Sequence, residues 1–277
     1  MIKNRIDFYV EFKEWYLKII KEFDFNPKKD QEARDYLSNI LSTKSKDWSL
    51  ELILNSFNEV IQSKSIIIIY GCGPSLEESV KFLLNNEPEH LFDKSINLAA
   101  DGASVLLKQK KIPIDGIFTD LDGISKTEFN YADFIIVHAH GDNINKLNSF
   151  KNDIIKLKNI IGTTQSEPVH NVINPGGFTD GDRILFFLRS LLFPYHKLYL
   201  IGMDFNNIVG KYSKPDIIEN KEGNPVKIKK LQFAVQLLIW ILERVGNQVY
   251  FVNSDVISEK FNYLSLEEFK KQMIELE

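Results

Sequence analysis

The chain has 277 residues, 44% of them hydrophobic and 12% aromatic, which is material for one large core or for a core with a small accessory unit. Its 34 basic and 38 acidic residues give a net charge of −4 with no long block of one sign, so nothing in it assembles the basic face that a nucleic-acid partner needs. The single cysteine, Cys72, excludes an intramolecular disulfide, and the charged start (Lys3, Arg5, Asp7, Glu11) lacks the apolar stretch of a signal peptide. The longest mostly apolar stretches, 184–193 and 233–242, fall well short of the roughly 20 residues that span a bilayer. These features predict a cytoplasmic protein without membrane association.

Residues 1–63 read as a small helical subdomain. Stretches 8–20, 32–41 and 50–61 place apolar side chains at i, i+3, i+4 and i+7, as in Leu50, Ile53, Leu54, Phe57 and Ile61, with breaks at Asn26-Pro27 and 43–47. From 64 to 277, short β-rich runs alternate with helical ones. Five runs, 65–70, 96–100, 117–119, 134–138 and 198–202, each stop at a turn bearing glycine or an acid, and 160–164 and 249–252 are two further strands. Helices are expected after the capping box Ser75-Leu76-Glu77-Glu78, over 103–110 and 144–150, after Thr179-Asp180-Gly181-Asp182, over 227–245, and after the box Ser265-Leu266-Glu267-Glu268. This alternation predicts an α/β catalytic domain: a Rossmann-like, mostly parallel sheet flanked by helices, with a C-terminal helix. In such a sheet all five turns lie along one edge, where open α/β proteins place ligands.

Those turns hold nearly all the residues able to do chemistry. Gly71, Gly73, Pro74 and Ser75 precede a helix N-terminus and let the backbone approach a phosphate, although the spacing is neither a dinucleotide fingerprint nor a P-loop, and any βα turn favours glycine. Cys72 reads as a small residue in a tight turn. Asp120 and Asp122, one residue apart after a strand and before Gly123, suit a hard divalent cation that also bridges substrate phosphates, against the plainer reading of turn aspartates. Asp101, next to Gly102, and Asp142 arise on neighbouring strand ends. Four carboxylates gathered without a cation would repel one another and raise their pKa values, so the group predicts Mg²⁺. His138, His140 and Asp142 also allow a zinc site, but Asn143 stands where the HxHxDH signature of metallo-β-lactamases has its last histidine. Thr179, Asp180, Asp182 and Arg183, behind Gly176-Gly177, form either a second-substrate site or a helix cap. Residues 206–226, with Gly210, Pro215, Gly223 and Pro225 and no periodicity, read as a lid that offers Lys211 and Lys214 to phosphate.

Six motifs, GCGPSLE at 71–77, AADGA at 99–103, TDLDG at 119–123, HAHGDN at 138–143, GGFTDGDR at 176–183 and GMDF at 202–205, together resemble the archaeal 6-hydroxymethyl-7,8-dihydropterin diphosphokinases. That family is distantly similar to thiamin diphosphokinase. The resemblance covers residues 66–252 and leaves the N-terminal helices and the tail unmatched. It implies transfer of a diphosphate from ATP to the hydroxymethyl group of a reduced pterin, with release of AMP, in a Mg²⁺-dependent step of folate or methanopterin synthesis. On that reading Asp120 and Asp122 hold Mg²⁺, with Asp101 and Asp142 completing or supporting its shell. The 71–75 turn and Gly102 then belong to ATP, and His140 orients the nucleophile or contacts the nucleotide. Thr179, Asp180, Asp182, Arg183, Asp204 and Lys211 fall on the substrate side. Alternatives are a thiamin-like acceptor, a sugar transferase of the motility-associated type (usually much longer chains), a zinc hydrolase using His138, His140 and Asp142, and a nucleotide-binding module without turnover. The oligomeric state, a homo-oligomer included, stays open.

Overall fold

The computed structural model describes residues 1–86 and 90–275. Four helices open the chain: α1 (Lys3–Ile6), α2 (Tyr9–Phe23), α3 (Pro27–Ser42) and α4 (Leu50–Gln62). Asp24 ends α2 in the left-handed conformation, at φ 53°. Asn26 then caps α3 through the amide of Lys28 (3.0 Å), with Pro27 at the first helical position, where its missing N–H and fixed φ are harmless. Ser49 caps α4 in the same manner on Leu52.

The α/β part follows as β1 (Ile66–Tyr70), α5 (Leu76–Asn86), α6 (Leu91–Lys94), β2 (Ser95–Ala100), α7 (Ala103–Gln109), β3 (Gly116–Thr119), α8 (Lys126–Phe129), β4 (Phe134–Ala139), α9 (Ile144–Lys156), β5 (Ile160–Thr164), β6 (Val172–Ile173), α10 (Asp180–Leu188) and β7 (Lys197–Ile201). A short antiparallel hairpin, β8 (Ile208–Val209) with β9 (Lys221–Glu222), precedes α11 (Pro225–Leu242), β10 (Gln248–Val252), β11 (Asn262–Leu264) and α12 (Leu266–Glu275). The described residues place nine strands in one wholly parallel sheet, in the order β11-β10-β7-β1-β2-β3-β4-β5-β6. The α/β reading is correct, and the order of strand succession reverses between β1 and β7, the switch point at which such folds open a crevice. Helices cover both faces of the sheet, which is why its strands read as unbroken apolar runs such as Ile66–Tyr70.

Alternate side chains of each strand feed two cores. Ile67, Ile69, Leu98 and Phe118 point into one with α1, α2, α4, α10 and α11, whereas Ile68, Tyr70, Ala99 and Ile117 point into the other with α3, α5, α7, α9 and α12. The N-terminal helices therefore clasp the sheet at β5, with α4 on one face and α3 on the other, and α3 also packs on α9. Phe57 of α4 is fully buried and meets Phe118, Phe134 and Phe187 edge-on, with ring centroids 6.4, 5.1 and 5.6 Å away. Removing that ring leaves a cavity. Phe57→Ala is expected to lose ~3–5 kcal/mol of stability and to keep a single urea transition, since residues 1–63 share their core with the sheet. Two separated transitions would show that the N-terminal segment is an independent unit.

Candidate active site

Every strand from β1 to β5, and β7, ends at the same side of the sheet, and their first following residues line one cleft of about 630 Å³. Asp101 follows β2, Asp120 follows β3, and Asp180 begins α10. Ligand oxygens of these three carboxylates lie within 4.8 Å of one another. Tight turns hold them there: Asp101 and Leu121 both adopt positive φ, 45° and 72°. Thr119 Oγ1 donates to Asp101 Oδ1 (2.5 Å) and accepts from the Leu121 amide (2.7 Å), locking the ends of β2 and β3 together. Asn143 ties β3 to β4 by donating to the carbonyls of Asp120 (2.9 Å) and His138 (2.7 Å) and accepting from the His140 amide (3.1 Å).

The charges of this group are strained. Burial, and then the charges of Asp120 and Asp180, push Asp101 well above the usual carboxylate range. Burial and Asp120 raise Asp180 to about 7, against the pull of Arg183. Burial also acts to raise Asp120, but the hydrogen bond and charge of His140, whose Nε2 sits 3.1 Å from Asp120 Oδ2, outweigh it and hold Asp120 far below its ordinary value. Arg183, 3% exposed, donates to Asp180 Oδ1 (2.9 Å) and to the Phe178 carbonyl (3.1 Å), so it braces the trio from beneath.

Positive charge faces this acidic floor from the other wall. Lys214, Lys227 and Lys230 line the cleft. Lys214 Nζ is 3.0 Å from Asp122 Oδ2. Lys230 lies over the rings of Phe25 and Phe178, 5.5 and 5.8 Å from their centroids, and burial followed by the like charge of Lys227 pulls its pKa down. The remaining wall comes from the N-terminal helices. Asp30 of α3, 3% exposed, accepts from the Gly141 amide through Oδ1 (2.8 Å) and from Tyr16 Oη and Gln165 Nε2 through Oδ2 (2.9 Å each).

A family model described as "6-hydroxymethylpterin diphosphokinase MptE-like" matches residues 35–210. Three archaeal proteins named 6-hydroxymethyl-7,8-dihydropterin pyrophosphokinase align along most of the chain. Those of Pyrococcus furiosus and Methanocaldococcus jannaschii are each 35% identical, covering 83% and 85% of this chain and 93% and 98% of their own length. That of Methanothermobacter thermautotrophicus is 37% identical over 84% of this chain and 94% of its own. The chain belongs to the MptE-like 6-hydroxymethylpterin diphosphokinase family. Among solved structures, the MAf glycosyltransferase of Magnetospirillum magneticum AMB-1 aligns at TM-score 0.49 and 12% identity, over 91% of this chain and 41% of that one.

Within this MptE-like chain several expected roles move. Asp120 joins Asp101 and Asp180, not Asp122, which pairs with Lys214; Asp142 is exposed at the cleft rim. Among the described residues His138, His140 and Asp142 form no metal-ligating group. The helix end behind Gly71-Cys72-Gly73-Pro74-Ser75 is already filled: Asp204 Oδ2 accepts from the Ser75 amide (2.9 Å) and Oγ (2.7 Å), replacing the expected Ser75–Glu78 box. Gly73 is needed because a Cβ there would strike the Asp204 carboxylate and the Gly202 carbonyl, and Gly102 because a Cβ would strike the Tyr212 carbonyl. Packing against protein therefore accounts for both glycines, and the 71–73 turn also lines the cleft. Tyr212 belongs to residues 206–226, which form a strap built from β8, a 3₁₀ turn (Lys211–Ser213) and β9, packed across these turns, in place of a structureless lid. Lys211 is drawn off to Glu77 (2.6 Å) and does not line the cleft. Thr179 and Asp182 form a capping box, Asp182 accepting from the amides of Phe178 (2.6 Å) and Thr179 (3.1 Å) and from Thr179 Oγ1 (3.0 Å).

Lys227 and Lys230 escaped the sequence reading, yet they left a signal. Lysines near a helix N-terminus oppose the macrodipole, and α11 has no acid in its first turn, a local mismatch that an anion would relieve. Asp30, Gln165 and Asn143 left none, because each looks like ordinary polar surface until the fold buries it.

Gly73→Ala is expected to lower stability by about 1–3 kcal/mol, measured by urea denaturation, without a separate loss of nucleotide affinity. A variant as stable as the parent but weak for ATP would return this turn to phosphate binding. Asp182→Asn should cost about 1 kcal/mol as a damaged cap. Burial raises Asp182 to about 6, above its unfolded value near ~3.9, so the folded state holds the proton more tightly. Its contribution to stability therefore declines as pH rises from about 4 to about 6. The gap between parent and Asp182→Asn should narrow over that window in melts, and a gap that widens contradicts the assigned shift.

Proposed function

We propose that this chain transfers a diphosphate from ATP to the hydroxymethyl group of 6-hydroxymethyl-7,8-dihydropterin and releases AMP, as a cytoplasmic enzyme whose partners are those two substrates. The observation that carries the reading is family membership along more than four-fifths of the chain, at 35–37% identity to three proteins of that name. The geometry is compatible: carboxylates and lysines face each other across one cleft large enough for both molecules.

The donor set suits Mg²⁺. Asp101, Asp120 and Asp180 offer only hard oxygens, and two of them carry raised pKa values that a cation would reverse. These residues would hold the ion, which supplies charge neutralisation at the β and γ phosphates. Lys214, Lys227 and Lys230 meet the phosphate chain from the opposite wall, so negative charge building on it finds preorganised partners. The acceptor hydroxyl oxygen forms a bond to the β phosphorus, the bond from that phosphorus to the α–β bridging oxygen breaks, and AMP leaves with the bridging oxygen. His140 stands beside this step. Held through Nε2 on Asp120 Oδ2, its ring is placed to orient the acceptor hydroxyl for attack. The strap over Gly73 and Gly102 limits water at the phosphate.

Incubation with ATP, Mg²⁺ and the reduced pterin, thiamin or buffer, read by mass spectrometry, should give AMP and a pterin diphosphate in the pterin sample alone. ADP as product, or transfer to thiamin, would overturn the reading. Asp120→Asn and Asp180→Asn should each lower kcat by about a hundred- to a thousandfold with far-UV dichroism unchanged. Retention of parental activity at low Mg²⁺ by either variant would remove it from the metal set.

A further inference from the structure

His138 closes β4 and is 2% exposed, yet it lines the cleft. Its Nδ1 lies 3.1 Å from Thr163 Oγ1, and that hydroxyl donates its only proton to the Val137 carbonyl at 3.2 Å. Thr163 must then accept, so the ring carries its proton on Nδ1 and Nε2 holds a lone pair. Burial, with the charges of Arg183 and His140, drives the His138 pKa well below its usual value against a smaller upward pull from the Gln165 side-chain amide, which stands close to the ring without the geometry of a hydrogen bond, and the ring is neutral. Among the described residues Nε2 has no hydrogen-bond partner. A buried acceptor left unpaired costs about 1–3 kcal/mol, and folded proteins seldom leave one without a reason.

The missing partner is a hydrogen-bond donor, an N–H or an O–H. An ionised phosphate or carboxylate oxygen would face the lone pair and be repelled, so this atom suits the donor edge of a heterocycle and not the phosphate chain. Of the two substrates, the position favours the acceptor. The rings of His138 and His140 stack with centroids 5.9 Å apart. The ring that would orient the hydroxyl and the ring that would read the pterin are thus neighbours, as a hydroxyl carried on a methylene beside the pterin ring requires. Gln165 and Asp30, which accepts from Gln165 Nε2 and from the Gly141 amide, lie at the same end of the cleft, on the far side of the carboxylates from Met203 and the 71–73 turn.

We propose that His138 Nε2 accepts a hydrogen bond from an N–H on the ring edge of the reduced pterin and is a specificity-determining residue that seats the acceptor over the ends of β4 and β5. This rests on the diphosphokinase reading above. Two substitutions separate the ring's two nitrogens: His138→Asn keeps a donor where Nδ1 meets Thr163 and deletes the acceptor, whereas His138→Gln returns an oxygen near the position of Nε2. Calorimetric titration with Mg²⁺, α,β-methylene ATP and 6-hydroxymethyl-7,8-dihydropterin should show His138→Asn weakening pterin about ten- to a hundredfold, with nucleotide affinity held within about twofold. His138→Gln should recover most of the loss. In turnover the pterin KM should rise in His138→Asn while the ATP KM stays. Parental pterin affinity in His138→Asn overturns the assignment, and so does a loss confined to nucleotide, which would place adenine at this end. If His138→Asn does not fold, His138→Gln carries the test: parental selectivity supports the acceptor, and a pterin loss equal to its nucleotide loss overturns it. Failure of the parent protein to bind pterin at all would instead sink the diphosphokinase reading itself, and this assignment with it.

Discussion

Repulsion among three crowded carboxylates governs the rest of the site. Asp101, Asp120 and Asp180 come from two strand ends and a helix start, so the fold forces them together, and each neighbour of the trio answers that charge. Arg183 braces Asp180, His140 draws Asp120 toward ionisation, and Thr119 holds Asp101. These contacts leave the trio still short of positive charge, because Asp101 and Asp180 remain hard to ionise. Added positive charge would relieve both groups, a condition that a bound cation would meet.

A second constraint is steric. The strap of residues 206–226 runs so close to the strand-end turns that a methyl group on Gly73 or Gly102 would collide with protein atoms. Glycines in βα turns invite a phosphate interpretation, and in this chain the local backbone pattern is the same as it would be for a ligand. Only the position of the strap, set by contacts remote in sequence, tells the two apart. The Asp204–Ser75 contact carries the same lesson, since an anion does sit at the N-terminus of α5 and it is a side chain.

The α/β class, the strands β1 to β5, β7 and β10, and the sharing of one sheet edge were legible, because hydrophobic period and turn chemistry are local. The brief strands β6 and β11 were not, being two and three residues long. In the site, Asp101, Asp120 and His140 were legible because strand ends in a parallel sheet converge by rule. Asp180 was named but assigned to the substrate, since nothing in its sequence shows that α10 starts beneath β2 and β3. Asp122 was joined to Asp120 on its spacing alone, which fits a rim ion pair with Lys214 as well as it fits a cation. Residues that act by long-range burial, Asp30 and Gln165 above all, have no one-dimensional signature.

The hydrogen bond from Gly141 to Asp30 joins the β4 turn to a helix that follows a different stretch of chain, one with no motif of its own. The cleft thus draws its walls from two stretches of chain far apart in sequence: the strand-end carboxylates come from one, the Phe25 to Asp30 wall from the other. Substitutions over 25–29 would reshape that wall without touching the carboxylates, whereas one at Asp30 would also release the Gly141 amide beside His140, so the wall and the strand ends can be altered independently only up to that bond.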